Sequence, residues 1–188
     1  MIYMALDTET TGFAPGQICQ LSYIVFNESK VLIRFNRFYK VESVDEGASN
    51  VHGLTVDKLE ELSGGLDFSV DIGGVIECLV AVDKIFIHNS PFDIRFMNAE
   101  LERLGITFDF DKKAYCTMNH HTDIIKLPSK NGRGYKWPKL SETLDYYKIS
   151  QDLILDETKK LFACEDTGLH DARFDVTGLY YIVKNMQL

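Results

Sequence analysis

The feature that most constrains the fold is a short uncharged run near the N-terminus that ends in two carboxylates. Residues Ile2 to Leu6 are apolar or aromatic, and Asp7, Glu9 and a Thr-Gly turn follow them. Such a run predicts a buried central strand. Because strand side chains alternate between two faces, Asp7 and Glu9 are expected on the same face. Two crowded carboxylates repel each other, which favours a hard divalent cation such as Mg²⁺ or Mn²⁺ between them.

Composition restricts the class of protein. With 188 residues, of which 45% are hydrophobic and 12% aromatic, the chain is expected to form one α/β domain over residues 1–188. Apolar runs stop short of the roughly 20 residues of a membrane span and the N-terminus lacks a signal-peptide pattern, so a cytoplasmic protein is expected. Four widely spaced cysteines predict free thiols. A net charge of −8 argues against a broad basic face for duplex nucleic acid, but it allows an enzyme that holds a strand end.

Apolar periodicity predicts a three-strand antiparallel meander followed by helices and further strands. The second and third strands are expected at 17–27 and 30–41, and two short strands are expected near 84–89 and 114–118. Helices are expected at these ranges: 56–62 with Thr55 as its cap, 68–82, 92–105, 119–125, 140–147, 157–164 and 169–185.

Two more acidic residues and a histidine lie where chemistry and structure compete as explanations. Asp93 falls in the first turn of the helix predicted at 92–105, where it is either an acidic residue favoured by the helix dipole or a metal ligand. His170 and Asp175 lie at the start of the last predicted helix, and a histidine at a frayed helix start can turn toward an acid one turn on. A lone histidine there is also commonly a cap or a surface residue. Each feature is weak when taken alone.

One segment departs from the acidic character of the chain. No acidic residue occurs between Asp123 and Glu142, while basic residues are interleaved there with glycines and aromatic residues: Lys126, Lys130, Gly132, Arg133, Gly134, Tyr135, Lys136, Trp137 and Lys139. This combination suits a surface that follows a nucleic-acid strand, since phosphates bind lysine and arginine while bases stack on aromatic rings. The alternative is a solvated loop whose Trp137 packs back on the core.

Taken in order, these motifs resemble the DEDDh 3′→5′ exonucleases, the DnaQ-like branch of the ribonuclease H-like fold. The matching segments run along nearly the whole chain: 7–12, 51–55, 88–93 and 170–175. In the sister DEDDy group a tyrosine stands four residues before the last aspartate, and Asp171 occupies that position here. The resemblance implies an α/β, ribonuclease H-like fold in which a mixed five-stranded sheet, the meander plus parallel strands, is flanked by helices.

The same resemblance implies a metal-dependent 3′→5′ exonuclease that removes 5′-mononucleotides from the 3′ end of DNA. Asp7, Glu9, Asp93 and Asp175 would hold two Mg²⁺ or Mn²⁺ ions, and His170 would act as general base. The substrate-binding residues that it implies are Thr10, Thr11, Phe13, His52, Leu54, Asn89 and Phe96, of which the last four could equally be structural. The expected partners are single-stranded or 3′-terminal nucleic acid, with DNA favoured over RNA, and a DNA polymerase, since the family includes the proofreading subunit of bacterial DNA polymerase III.

Three alternatives remain open at this stage. An RNA exonuclease of the same fold would use the same catalytic set, because contacts to the 2′-hydroxyl cannot be read from the sequence. A haloacid-dehalogenase-like phosphatase also begins with an acidic motif after its first strand, but it requires a second aspartate where Glu9 stands and a doubly wound parallel sheet. A non-catalytic nucleic-acid-binding module is disfavoured by the intact acidic set.

Overall fold

The fold is built on a mixed sheet of five strands. The computed structural model describes residues 1–186, and the strands are β1 (Tyr3–Thr10), β2 (Ile18–Phe26), β3 (Val31–Phe38), β4 (Lys84–Ile87) and β5 (Ala114–Cys116). Their order in the sheet is β3-β2-β1-β4-β5. The first three strands pair antiparallel, whereas β1, β4 and β5 run parallel. The predicted meander and mixed sheet are confirmed, and the doubly wound parallel sheet of the phosphatase alternative is not the arrangement found.

Helices connect and flank the strands. In the described range they are α1 (Glu46–His52), α2 (Val56–Ser63), α3 (Ile72–Ala81), α4 (Ser90–Arg103), α5 (Thr117–Ile125), α6 (Leu140–Tyr146), α7 (Gln151–Phe162) and α8 (Ala172–Asn185). None of these helices, all within residues 1–186, is long and apolar enough to cross a membrane.

β1 separates two apolar cores because its side chains alternate between the faces of the sheet. Met4 and Leu6 pack on one side, in a cluster that includes Phe96 of α4. Ala5 packs on the other side, in a cluster that includes Leu179 of α8. Burial of each large apolar side chain contributes about 1.5–3 kcal/mol, so a one-residue slip of this strand is strongly disfavoured. The same register fixes the face on which the acidic residues of β1 stand.

The carboxyl ends of β1 and β4 lie at one edge of the sheet because these strands are parallel. β4 ends at Ile87, and α4 begins only three residues later at Ser90. A crevice outside the carboxyl ends of parallel strands is where open α/β sheets bind ligands. The last residues of β1 and the first turn of α4 therefore meet at a place suited to a site.

The start of the last helix differs from the prediction. The helix begins at Ala172 rather than at Leu169, because His170 has a left-handed φ of 60°. The Asp171 side chain then caps α8 by accepting a hydrogen bond from the backbone N–H of Arg173. His170 consequently stands in the turn before the helix and not in its first turn.

Other boundaries also differ for local reasons. The short helix α1 was not predicted, because none of its residues is buried and it has no apolar stripe to reveal it. The range 68–82 is divided into a 3₁₀ turn, Phe68–Asp71, and α3. α7 begins earlier than predicted, at Gln151, because the Ser150 hydroxyl accepts a hydrogen bond from the N–H of Leu153.

Candidate active site

Three carboxylates converge at the carboxyl end of β1. Asp7 and Glu9 stand two residues apart on the same face of the strand, and Asp175 projects from the first turn of α8. Each offers one oxygen atom, and the three atoms lie within 4.8 Å of one another. The sequence pattern predicted this convergence for Asp7 and Glu9, and the packing of α8 against β1 and β2 brings in the third carboxylate.

Burial and mutual repulsion make the negative charge of this group costly. Burial, and then the charges of Asp175 and Asp93, raise the pKa of Asp7 and of Glu9 well above their ordinary values. Burial raises the pKa of Asp175 to about 7, and the charges of Asp171 and Asp93 add to the effect. Hard oxygen donors held this close together match the ligand set that Mg²⁺ and Mn²⁺ prefer. The residues present therefore fit a divalent cation.

Asp93 lies beside this group on α4. It is 3% exposed, and its Oδ1 accepts hydrogen bonds from Thr8 N at 3.1 Å and from Thr8 Oγ1 at 2.8 Å. Burial raises the pKa of Asp93 to about 7, although the hydrogen bonds from Thr8 favour the charged form. Its charge raises the pKa of Asp7, Glu9 and Asp175, which places the fourth predicted carboxylate within electrostatic reach of the other three.

His170 lies on the wall of the cleft that contains the carboxylates. A cavity of about 830 Å³ is lined by Asp7, Asp175 and His170, together with Asn89. Asn89 occupies the left-handed region, with a φ of 68°, directly before α4. The structure thus brings the predicted base and two of the predicted ligands to one cavity.

A partly buried polar network holds the turn that carries His170. Asp171 accepts a hydrogen bond from Gln20 Nε2 at 2.9 Å, and Gln20 Oε1 accepts one from Ala172 N at 3.2 Å. Arg173 donates to both carboxylate oxygens of Asp171, at 2.9 and 2.6 Å. Gln20 lies directly opposite Glu9 in the pairing of β1 with β2. The network therefore ties the position of His170 to the strand that borders the carboxylates.

A second, smaller cavity of about 210 Å³ opens beside Glu9. Its walls are Thr8, Glu9, Thr10, Gly12, Phe13, Gly47, Ala48, Val51, His52 and Phe92. Thr10, Phe13 and His52 were singled out from the sequence as substrate-binding residues, whereas the other wall residues of α1 (Gly47, Ala48 and Val51) and Phe92 were not. Phe13 is 83% exposed, so its ring is free to contact a ligand.

His52 has one defined hydrogen-bonding arrangement. Its Nε2 lies 3.1 Å from the carbonyl oxygen of Thr10, which can only accept, so Nε2 carries the proton. Nδ1 then accepts a hydrogen bond from Leu54 N at 3.1 Å. Burial lowers the pKa of His52, which keeps the ring neutral near neutral pH. His52 thereby fixes the backbone of Thr10 beside the small cavity.

The remaining candidates are more deeply packed. The Thr11 hydroxyl accepts a hydrogen bond from Gln17 N at 3.0 Å and holds the loop after β1. Leu54 is 5% exposed and packs in a small cluster that includes Leu59. Phe96 is fully buried, and its ring centroid lies 5.1 Å from that of Phe92. Phe96 therefore reaches the small cavity only through Phe92.

Comparisons with known proteins agree on one family. A family model described as Exonuclease (RNase_T) matches residues 4–183. DNA polymerase III subunit epsilon of Buchnera aphidicola subsp. Schizaphis graminum is 27% identical over 142 residues, which is 71% of this chain and 58% of that protein. The same subunit of Rickettsia conorii is 33% identical over 107 residues, 54% of this chain and 45% of that protein. The chain thus spans about half the length of these relatives.

Solved structures share the fold at low sequence identity. Exonuclease I of E. coli in complex with a dA16 oligonucleotide has a TM-score of 0.70 and 16% identity, covering 99% of this chain and 41% of that one. Exonuclease X in complex with 5′ overhanging duplex DNA has a TM-score of 0.58 and 16% identity, covering 97% of this chain and 90% of that one.

Proposed function

This chain belongs to the RNase_T exonuclease family, and from that premise we propose that it removes 5′-mononucleotides from the 3′ end of DNA by metal-dependent hydrolysis. The observation that carries the proposal is the convergence of Asp7, Glu9 and Asp175 within 4.8 Å of one another. His170 lines the same cavity as Asp7 and Asp175. Carboxylate oxygens at this separation can hold a divalent cation, and a histidine beside them can take a proton.

The carboxylates of Asp7, Glu9, Asp93 and Asp175 would hold two Mg²⁺ or Mn²⁺ ions. When bound, such ions supply Lewis acidity, which activates a water molecule and stabilises the leaving 3′ oxygen. The buried position of Asp93 and its hydrogen bonds from Thr8 keep its carboxylate in one orientation. The protein thereby holds this oxygen donor in place beside the other three carboxylates.

His170 is proposed as the general base that takes a proton from the attacking water. The bonds among Gln20, Asp171 and Arg173 hold its turn against the sheet, which restricts where the imidazole can stand. A positioned general base typically contributes a factor of about a hundred to ten thousand in rate.

The small cavity beside Glu9 is proposed to hold the 3′-terminal nucleotide. Phe13 would wedge against the base, and a backbone amide near Thr10 would meet the 3′-hydroxyl. Val51 and Phe92 add apolar wall, and aromatic and apolar walls suit a base, whose faces stack. DNA is the proposed substrate, which is consistent with relatives named as subunits of DNA polymerase III and with neighbours solved in complex with DNA.

The test is cleavage of a 5′-labelled single-stranded oligonucleotide in Mn²⁺. The proposal expects stepwise shortening from the 3′ end with release of 5′-mononucleotides, and loss of this activity in Asp7→Ala. Asp123→Ala is the matched control, because Asp123 is an exposed carboxylate on α5. Absence of shortening, or equal shortening by Asp7→Ala, would overturn the proposal. An RNA strand of the same sequence, digested in parallel, tests the preference for DNA.

Association with a DNA polymerase is the second part of the proposal. It rests on the names of the relatives, of which this chain spans about half the length. Co-elution with the polymerase catalytic subunit of the same organism in gel filtration would support it. Separate elution at micromolar concentrations of both proteins would argue for a free exonuclease.

A further inference from the structure

The segment 126–139, here called the basic hairpin, concentrates positive charge on an acidic chain. The chain has a net charge of −8, yet the five charged residues of this segment are all basic: Lys126, Lys130, Arg133, Lys136 and Lys139. Lys136 pairs with Glu142. Within residues 1–186 the other four form no ion pair. Their charges are therefore available to an anionic ligand.

The basic hairpin has a defined conformation. Pro128 and Tyr135 form an antiparallel bridge, and Lys136 N donates to Leu127 O at 2.9 Å. At the tip, Asn131 Oδ1 accepts hydrogen bonds from the Ser129 hydroxyl at 2.7 Å and from Arg133 N at 3.0 Å. These bonds fix the backbone that carries the basic side chains.

Two aromatic rings on the basic hairpin face solvent. Trp137 is 68% exposed and Tyr135 is 46% exposed. The Lys126 ammonium lies 5.9 Å from the centroid of the Tyr135 ring. The alternative in which Trp137 packs back on the core is therefore wrong. Exposed aromatic rings alternating with positive charge form the combination that binds single-stranded nucleic acid, with bases stacking on rings and phosphates meeting cations.

The end of the basic hairpin forms a wall of the carboxylate cleft. His88, which follows β4, donates from Nε2 to the carbonyl oxygen of Pro138 at 3.0 Å, and its Nδ1 lies 3.0 Å from the Thr117 hydroxyl. Lys139 then lines the same cavity of about 830 Å³ as Asp7, Asp175 and His170. Anything held in this cleft lies next to the exit of the hairpin.

We propose that the basic hairpin binds the single-stranded segment of substrate that precedes the 3′-terminal nucleotide, with its cations on phosphates and with Tyr135 and Trp137 stacking on bases. This inference rests on the proposed function. An acidic chain repels a phosphate backbone, so a strand that reaches the carboxylates requires attraction elsewhere. The basic hairpin supplies that attraction beside the cleft, which favours a strand over an acidic protein segment as its occupant.

The experiment compares two strand lengths and two hairpin variants. The variants are Trp137→Ala and the double substitution Lys130→Gln with Arg133→Gln. The control is Lys30→Gln with Lys112→Gln, which removes two exposed cations at the other end of the sheet. The rate constant kcat/KM is measured in Mn²⁺ for strands of about 12 and about 3 nucleotides. Binding of the longer strand is measured by fluorescence anisotropy in EDTA at several salt concentrations.

The measured quantity is kcat/KM for the longer strand divided by kcat/KM for the shorter strand. If the hairpin binds the longer strand, this ratio should fall about tenfold in each hairpin variant and stay constant in the control. The slope of log affinity against log salt should decrease by about 1.4 in the double variant, which loses two phosphate contacts. Unchanged ratios, or equal losses on both strand lengths, would overturn the inference while leaving the exonuclease proposal standing. If the wild-type protein cleaves neither strand, the proposed function fails, and the anisotropy series still tests the hairpin.

Discussion

Replacing Asp93 by asparagine is expected to stabilise the metal-free protein as the pH rises. Asp93 is 3% exposed, and burial raises its pKa to about 7 from the ordinary value of 3.8. An asparagine side chain has nearly the same shape, and its carbonyl oxygen can accept the two hydrogen bonds that Thr8 donates. It has no charge to bury at any pH. The substitution therefore removes the penalty of burying this charge together with its repulsion of Asp7, Glu9 and Asp175.

The size of the effect follows from proton linkage. Between pH 3.8 and about pH 7 the folded protein retains a proton on Asp93 that the unfolded chain has released, so stability falls as the pH rises through this window. A change of about three in pKa corresponds to about 4 kcal/mol, at about 1.36 kcal/mol for each unit. Part of that window lies below pH 5. From about pH 5 to about pH 8 the advantage of Asp93→Asn over the wild-type protein should therefore grow by about 2–3 kcal/mol.

Urea unfolding in EDTA at both pH values measures this difference. Asp123→Asn is the control, because the same chemical change at an exposed site should leave the pH dependence unaltered. Adding Mn²⁺ at about pH 8 should stabilise the wild-type protein more than Asp93→Asn, since a bound cation offsets the buried charge and raises the apparent stability. A difference between Asp93→Asn and the wild-type protein that stays constant across the pH range would refute the reasoning.

Three other substitutions separate the parts of the site. His170→Gln should lower kcat by about a hundred- to ten-thousand-fold, while Mn²⁺ should still raise the thermal unfolding midpoint of the variant. If the variant is inactive and Mn²⁺ no longer raises its unfolding midpoint, the result argues against a role of His170 as base. Arg173→Gln should lower the free energy of unfolding by about 1.5–3 kcal/mol, because the partly buried Asp171 carboxylate loses its cationic partner but keeps its hydrogen bond from Gln20; a loss under about 0.5 kcal/mol in urea unfolding would contradict this. Phe13→Ala should raise KM. Because Phe13 is 83% exposed, the same substitution should change the free energy of unfolding by under about 0.5 kcal/mol. An unchanged KM would contradict the proposed contact between the Phe13 ring and the terminal base.

The two acidic residues of β1 could be predicted because a strand has a side-chain period of two. A run of apolar residues identified β1, and the alternation alone placed Asp7 and Glu9 on one face. The antiparallel meander followed in the same way from short turns between apolar runs. These inferences need only local information, which the sequence contains.

The parts of the site that depend on packing could not be predicted. The hydrogen bond from Gln20 to Asp171 joins residues 151 positions apart, and only the folded chain brings them together. A signal was present, since Gln20 of β2 pairs with Glu9 of β1 and Asp171 directly precedes the last helix. Gly47 and Ala48, which α1 contributes to the small cavity, carried no such signal, because that helix has no buried residues.

The basic hairpin also combines features that the sequence predicts with features that depend on packing. Its charge and its aromatic residues are evident from the sequence, but whether Trp137 packs on the core depends on what surrounds it in the fold. The structure leaves Trp137 68% exposed and connects the neighbouring Pro138 to His88. The residue types therefore led to the proposed ligand, and the tertiary contact places the basic hairpin beside the cleft.

The most direct test of the central claim is the position of Mn²⁺ in crystals soaked with MnCl₂ and a 5′-mononucleotide. Anomalous scattering locates the ions independently of the protein coordinates. The account predicts anomalous peaks in contact with the carboxylates of Asp7, Glu9 and Asp175, with the nucleotide in the adjoining cleft. Peaks at other carboxylates, with none at these three under saturating Mn²⁺, would contradict it.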